Sequence, residues 1–574
     1  MAYDLLFTNA RVVDGTGSPW LRADVAVADG RIVAVGRELH VEAARTIDVE
    51  NQILAPGFYD MHSHADISLL VDPRHEPKLF QGVTFELLGQ DGLSYAPVTP
   101  EIREQIRRHL AGLNGDDPRA GWDWTSVGSY LDRFDGTTSV NVGYLVPHNA
   151  VRIGAMGWEM RTPTAAELDR MRGLVREGME DGAFGLSTAL TYPPNMWSDT
   201  DEMVAICEVV ARYGGIYVTH LRGQGDALLD PIREAIEICQ RAGLPLHISH
   251  LKSSRLGGPT NLPGLLDLMN GARADGLDLT FDSYQYNCGS GMLHAQLPDW
   301  THAGGPDVEK ARLRSSEVRD KIREQWVASP PDWDRIVLAS VPSEANRWME
   351  GRTLGSVIAD SNRDAVDVIC DLLLEEDLGV SHVSIAGDDD DPHLGSMLEV
   401  PYQMAGSDGL HLGSKLHPRT YGTYARVLQR YVREQKLLRL EEAIRKLASY
   451  PARRLSISDR GEIREGMWAD LVVFDEQTIA EHATYPEPMQ LATGVSYVAV
   501  NGTLVLDAGR HTGATPGRAL RHRAWESGVR SQESGVRRYE PGARVGILRA
   551  YTSPRSERAT RLPAVFPTPS TGSG

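Results

Sequence analysis

His62 and His64 stand two residues apart after the β-like run Phe58-Tyr59-Asp60-Met61. In an extended strand that spacing sends both side chains to one face. Two buried imidazoles side by side cost free energy unless something compensates them, and a divalent cation does so. His220 and His250 follow singly, closing Val218-Thr219-His220 and Ile248-Ser249-His250. A lone strand-end histidine is more often a hydrogen-bonded structural residue, whereas four of them at strand ends that converge read as a metal-ligand set. Asp408, in Gly406-Ser407-Asp408-Gly409, follows a late strand-like run. In isolation that tetrapeptide is a turn. Beside a metal, its carboxylate can touch the ion and accept a proton from water whose pKa the metal lowers from ~15.7 toward ~7.

Such residues need strands to carry them. Strand-like runs end at Met61-His62, Leu87-Leu88-Gly89, Gly143-Tyr144-Leu145-Val146, Gly185-Leu186-Ser187, Val218-Thr219-His220, Ile248-Ser249-His250, Leu279-Thr280-Phe281-Asp282 and Gln403-Met404-Ala405-Gly406. Helical periodicity lies between them, as at 165–181 and 230–242. This alternation predicts an α/β fold with a (β/α)8 TIM-like barrel over residues 56–450. An open doubly wound sheet is the alternative, but polar residues at the C-terminal ends of many different strands favour the closed form. Between the seventh and eighth strands, about residues 288–400 with a helix-rich stretch at 308–328 exceed an ordinary loop and read as a lid insertion. Residues 1–55 and 451–525 are rich in short strands, with Asp29-Gly30 and Asn501-Gly502 as hairpin turns, and predict a small β-sandwich built from both termini. Residues 526–574 form a C-terminal extension with a near-repeat (Glu526-Ser527-Gly528-Val529-Arg530, then Glu533-Ser534-Gly535-Val536-Arg537) and an end of disordered composition.

The whole chain sets outer limits. With 574 residues, more than one domain is expected. Its 41% hydrophobic and 24% charged residues are ordinary for a globular protein with a large core. The net charge of −19, from 59 basic and 78 acidic residues, argues against nucleic acid or an anionic membrane as partner. The N-terminus has no signal-peptide pattern and no apolar run reaches a membrane span. Cys207, Cys239, Cys288 and Cys370 are widely spaced, which suits a reducing compartment and a cytoplasmic location.

The run Ala55-Pro56-Gly57-Phe58-Tyr59-Asp60-Met61-His62-Ser63-His64 resembles the signature of the amidohydrolase superfamily. More narrowly, the chain resembles the D-aminoacylase (N-acyl-D-amino-acid deacylase) family. The matching stretches include Gln81-Gly82-Val83-Thr84, Gly185 through Tyr192, Thr219-His220-Leu221-Arg222 and Ile248-Ser249-His250-Leu251-Lys252. They continue through Asp282-Ser283-Tyr284-Gln285-Tyr286, Gly406-Ser407-Asp408-Gly409 and His417-Pro418-Arg419-Thr420-Tyr421-Gly422, over residues 4 to 525 in all. The resemblance implies a zinc-dependent hydrolase, with one or two ions, acting on a small-molecule amide. It makes His62 and His64 ligands of the more buried metal, His220 and His250 ligands of the outer one, and Asp408 the metal-contacting general base. Tyr192, Arg222, Lys252, Tyr284 and Ser290 are implied substrate contacts. The plain alternatives are a solvated rim charge for Lys252 and a loop hydroxyl for Ser290.

Two departures from the family pattern matter. Where members carry Gly-Asn-Cys-Gly with a bridging cysteine, this chain has Gly89-Gln90-Asp91-Gly92. A carboxylate can bridge two cations, being a harder ligand than thiolate, so Asp91 is either a bridging ligand or a turn residue. No lysine stands where a carbamylated bridge would sit on the fourth strand, which has Ser187-Thr188 instead. After Arg222 come Gly223-Gln224 where relatives have glutamate. His148 follows the third strand and reads as a structural, hydrogen-bonding residue. Deacylation of N-acyl-D-amino acids is the expected activity. A D-residue dipeptidase, a cyclic-amide hydrolase, a deaminase and an inactive scaffold remain as alternatives, and a homo-oligomer stays open.

Overall fold

A computed structural model of the chain describes residues 3–223, 228–252, 262–387 and 392–522. Gln224 and the extension 526–574 lie outside the described residues. Strands Phe58–Asp60, Val83–Leu88 and Asn141–Tyr144 pair in parallel and in chain order. Val146–Pro147 continues the third strand and begins a second parallel run through Gly185–Ala189, Ile216–His220, Leu246–Ile248, Leu279–Ser283 and Gln403–Ala405. The last strand then bonds back to the first. Met61 N–H donates to the Ala405 carbonyl (3.2 Å), Asp408 N–H to that of His62 (2.8 Å), and His64 N–H to that of Gly409 (3.1 Å). Val83–Leu88 and Ile216–His220 are buried at every position, as parallel strands covered on both faces must be.

Helices follow these strands with boundaries set by local chemistry. Ala165–Glu180 starts at a capping box in which Thr164 and Glu167 satisfy each other's backbone N–H groups. Leu229–Ala242 ends at Gly243, whose φ of 75° is the left-handed conformation glycine adopts at low cost. No helix among the described residues is long and apolar enough to cross a membrane.

The segment between Leu279–Ser283 and Gln403–Ala405 has its own organisation. Strands Gly289–Met292, Ser381–Ser384 and Ile336–Ser340 form an antiparallel sheet. Helices pack there around a separate apolar cluster that includes Leu313, Ile322, Leu354 and Ile369. The helix-rich stretch 308–328 is two helices, Pro306–Leu313 and Ser316–Ala328. Ser315 breaks it, because its side chain accepts the Val318 N–H and caps the second helix.

Among the described residues, segments within 3–56 and 471–511 enter one nine-stranded sheet, joined where Ile53–Pro56 runs antiparallel to Leu471–Phe474. Asp29 and Gly30 (φ 50° and 76°) and Asn501 and Gly502 (φ 52° and 79°) make two left-handed hairpin turns. The turns pack on each other so closely that a Cβ on Gly502 would lie 2.5 Å from the Gly30 Cα.

Candidate metal centre and substrate cavity

Asp91 sits between four imidazoles. Its Oδ1 lies 3.6 Å from His62 Nε2 and 3.5 Å from His250 Nε2. Its Oδ2 lies 3.5 Å from His64 Nε2 and 3.9 Å from His220 Nδ1. Asp408 Oδ1 approaches His64 Nε2 at 3.3 Å and His62 Nε2 at 3.7 Å. Two donor groups result, His62–His64–Asp91–Asp408 and Asp91–His220–His250, each with its ligand atoms within 4.8 Å of one another and sharing Asp91. Both ring nitrogens of His62, Nδ1 of His64 and Oδ1 of Asp91 are buried without a hydrogen bond among the described residues. Buried polar atoms left this way are costly, and shared donors of this kind suit divalent cations. The residues present therefore fit one or two such ions.

The backbone bends to make this convergence. Asp91, His250 and Asp408 all have positive φ (58°, 34° and 52°), a region non-glycine residues seldom occupy unless their surroundings hold them there. Asp91 is flanked by Gly89 (φ 76°) and Gly92 (φ 61°). A Cβ on Gly92 would meet the Ser187 carbonyl oxygen and the Thr188 Cα at 2.7 Å. Ser187 itself fastens the turn, its hydroxyl accepting the Gly92 N–H (3.0 Å) and donating to the Gly89 carbonyl.

Burial and charge oppose each other here. Burial alone would raise the carboxyls, yet His62 and His250 hold Asp91 well below the usual carboxylate range. Arg419, His250 and His64 do the same for Asp408. Burial would lower His62 and His64, but the facing carboxylates, Asp91 and Asp408 with Asp282 also acting on His62, leave both raised. His220 is pushed down to about 3 by burial and by its neighbour His250, whose Nε2 is 3.0 Å from its own Nδ1.

Sequence reasoning did not assign the residues that support these ligands. Asp282 Oδ1 accepts the His250 N–H (2.9 Å), while its Oδ2 lies 3.0 Å from His247 Nε2 and 3.8 Å from His62 Nδ1. The fully buried Arg419 pairs with Asp408 Oδ2 at 2.8 Å and donates to the Tyr284 hydroxyl at 2.5 Å. Lys78, also fully buried, donates to Asp60 and to the Ser407 hydroxyl (2.6 Å), anchoring the turn that presents Asp408. Asp282 and Arg419 both fall in the matching motifs, but nothing local indicates what a buried charge will face.

A cavity of about 290 Å³ opens onto His64, Asp91, His220, His250 and Asp408. Tyr192, Lys252, Tyr284 and Ser290 line it, together with Leu113, Met292, His382 and Ala386. Lys252 donates to the Asn287 and Cys288 carbonyls (3.0 and 2.8 Å), its ammonium 4.2 Å above the Tyr284 ring. Ser290 donates to the His382 carbonyl. Arg222, expected as a substrate contact, is placed differently. It is not part of the cavity lining, and its guanidinium is engaged by Glu234 (2.9 Å) and by the Met196 and Ser198 carbonyls. His148 is buried between the Thr188 hydroxyl (3.1 Å) and Glu202 (3.0 Å), away from the donor groups.

Comparison with known proteins identifies the family. A sequence profile described as "Amidohydrolase family" matches residues 45–506. D-aminoacylase of Alcaligenes xylosoxydans xylosoxydans is 31% identical over 525 residues, 91% of this chain and 98% of the relative. N-acyl-D-aspartate deacylase of the same organism is 32% identical, over 90% of this chain and 95% of that one. Among solved structures, N-acyl-D-glutamate deacylase from Bordetella bronchiseptica, complexed with zinc and a phosphonate mimic of the tetrahedral intermediate, superposes with a TM-score of 0.78 at 29% identity. That match covers 91% of this chain and 100% of the other. This chain belongs to the amidohydrolase family, in its D-aminoacylase branch.

Proposed function

We propose that this protein is a zinc-dependent hydrolase that cleaves the amide bond of N-acyl-D-amino acids. The observation that carries the reading is the shared carboxylate Asp91 among four histidines, with Asp408, held by Arg419, beside it in the cavity lining. His62, His64, Asp91 and Asp408 would hold one ion, and Asp91, His220 and His250 a second. When bound, zinc supplies Lewis acidity, polarising a carbonyl and lowering the pKa of water from ~15.7 toward ~7.

The chain's own residues do the rest. Asp408 takes the proton of the attacking water and returns it to the leaving nitrogen. Arg419, on the opposite carboxylate oxygen, fixes the rotamer that aims Oδ1 at the donor groups and keeps it anionic. Tyr192, packed edge-on to His220 at 5.6 Å between ring centroids, donates to the developing oxyanion. Lys252, beside Tyr284 and Ser290, supplies positive charge for the substrate carboxylate.

The parallel strand order, with the last strand bonded back to the first, supports reading the central unit as a closed (β/α)8 barrel. The ligands then stand at the C-terminal ends of its strands, where loops can be varied without disturbing the packed interior. We read the inserted segment, which contributes Ser290, Met292, His382 and Ala386 to the cavity wall, as the lid that selects the substrate's side chain.

The test is a substrate panel on the zinc-loaded chain, comprising N-acyl-D- and N-acyl-L-amino acids, dipeptides ending in a D-residue, and hydantoins. Release of a free D-amino acid from N-acyl-D substrates is expected. Turnover confined to hydantoins, or ammonia release without a new carboxylate, would refute the proposal.

A further inference from the structure

A second group of potential ligands lies in the inserted segment. His294, His302 and Glu309 are all buried, with their ligand atoms within 4.8 Å of one another. His294 Nδ1 and His302 Nδ1 each lie 3.2 Å from the same oxygen, Oε1 of Glu309. The other nitrogen of His294 settles its tautomer. Nε2 is 3.1 Å from the His109 backbone carbonyl, which only accepts, so Nε2 carries the hydrogen. In the neutral ring, Nδ1 then turns a lone pair toward a carboxylate oxygen, an arrangement that repels unless a positive charge lies between them.

A proton on Nδ1 of His294 would satisfy that contact, which leaves the His302 Nδ1 on the same oxygen to be accounted for. His302 Nδ1 is buried and has no hydrogen bond of acceptable geometry among the described residues, although the carboxylate is close. Two imidazole nitrogens and a carboxylate oxygen that converge, with one ring held by a backbone carbonyl behind it, are the usual construction of a protein metal site.

We propose that His294, His302 and Glu309 bind a divalent cation of the zinc class as a structural site. It shares no residue with the centre described above and does not depend on the reaction proposed there. Its position explains what it would do. His294 lies between Met292 and Gln296, which line the substrate cavity. The His109 carbonyl it holds belongs to helix Pro100–Asn114, whose Leu113 lines the same cavity. His109 in turn donates from Nε2 to the Pro193 carbonyl, next to Tyr192. A cation here would staple the inserted segment to the two other walls of the cavity.

The experiment uses the full chain, stripped by chelation and titrated with Zn2+ while bound metal per chain is counted by native mass spectrometry. His302→Gln and Glu309→Gln are each expected to bind one ion fewer than the unmodified chain. A His62→Ala/His64→Ala variant is expected to keep an ion that adding Glu309→Gln removes. Zinc-edge anomalous diffraction from the unmodified protein should give a peak between His294, His302 and Glu309, and it decides the matter if a variant fails to fold. Equal stoichiometry in all folded forms, or crystals with zinc at Asp91 and no peak at Glu309, would overturn the proposal.

Discussion

Asp91 carries the charge that both donor groups use, so its loss is felt by each. Asp91→Ala should lower zinc content and turnover together, and unchanged values for both would remove it from the centre. Asp408→Asn keeps an oxygen donor but loses the proton acceptor. It should cut kcat by about 10²–10⁴-fold while much of the metal stays bound, read by kinetics alongside metal analysis. Arg419→Met releases one oxygen of Asp408 and leaves the ligands in place. The expected result is a drop in kcat on the order of 10-fold or more with metal content near normal. Arg222 is the contrasting residue. The sequence presents it as a substrate contact on a strand-end loop, and only the packed structure supplies Glu234 as its partner.

Elements hold these residues by two devices, tight turns and buried basic side chains. At the turn after Val83–Leu88, Gly92 combines φ 61° with backbone 2.7 Å from where a Cβ would sit. Gly92→Ala must therefore push Asp91 away from the histidines, and weaker zinc binding by calorimetry is expected at nearly unchanged secondary structure. At the other end of the last core strand, Lys446 from helix Leu440–Leu447 donates to the carbonyls of Val400 and Gln403. Burial pushes Lys446 down to about 7 from its ordinary 10.5. Between those values the unfolded chain binds the proton and the folded chain does not. The contribution of Lys446 to stability therefore rises with pH above 7, by roughly 1.4 kcal/mol per pH unit, and is at its minimum below that. Lys446→Met should remove this slope. Thermal unfolding at pH 7 and pH 9 compares the two proteins, and an identical pH response would contradict the assignment.

At the scale of the whole molecule, metal binding and folding are coupled, because the ligands come from strands that begin as far apart as residues 58 and 403. A ligand bound only by the folded state stabilises it by about 4 kcal/mol at a thousandfold excess over Kd. Chelation should therefore lower Tm by several degrees and added zinc restore it, as read by calorimetry; a Tm indifferent to both would argue against a bound ion. The terminal sheet has a similar long-range logic. Ile53–Pro56 leads directly into the strand that delivers His62, and it is braced by Leu471–Phe474 from the other end of the chain.

By itself the sequence determined what depends on local periodicity and residue chemistry. The two-residue spacing of His62 and His64, the eight strand ends, the hairpin turns at Asp29-Gly30 and Asn501-Gly502, and the helices near 165–181 and 230–242 were all legible there. The two-helix form of 308–328 was not, because Ser315 signals a break only when its side chain turns back to the backbone. Nor could the sequence decide between bridge and turn for Asp91, since the same Gly-x-Asp-Gly pattern serves both. The tertiary structure decided which charges meet: Asp91 with four imidazoles, Arg419 with Asp408, Arg222 with Glu234, and His294 with His302 and Glu309. The reason is physical. Periodicity is set by sterics within a few residues, whereas a buried charge takes its partner from whatever strand or turn the closing of the fold brings within a few ångströms.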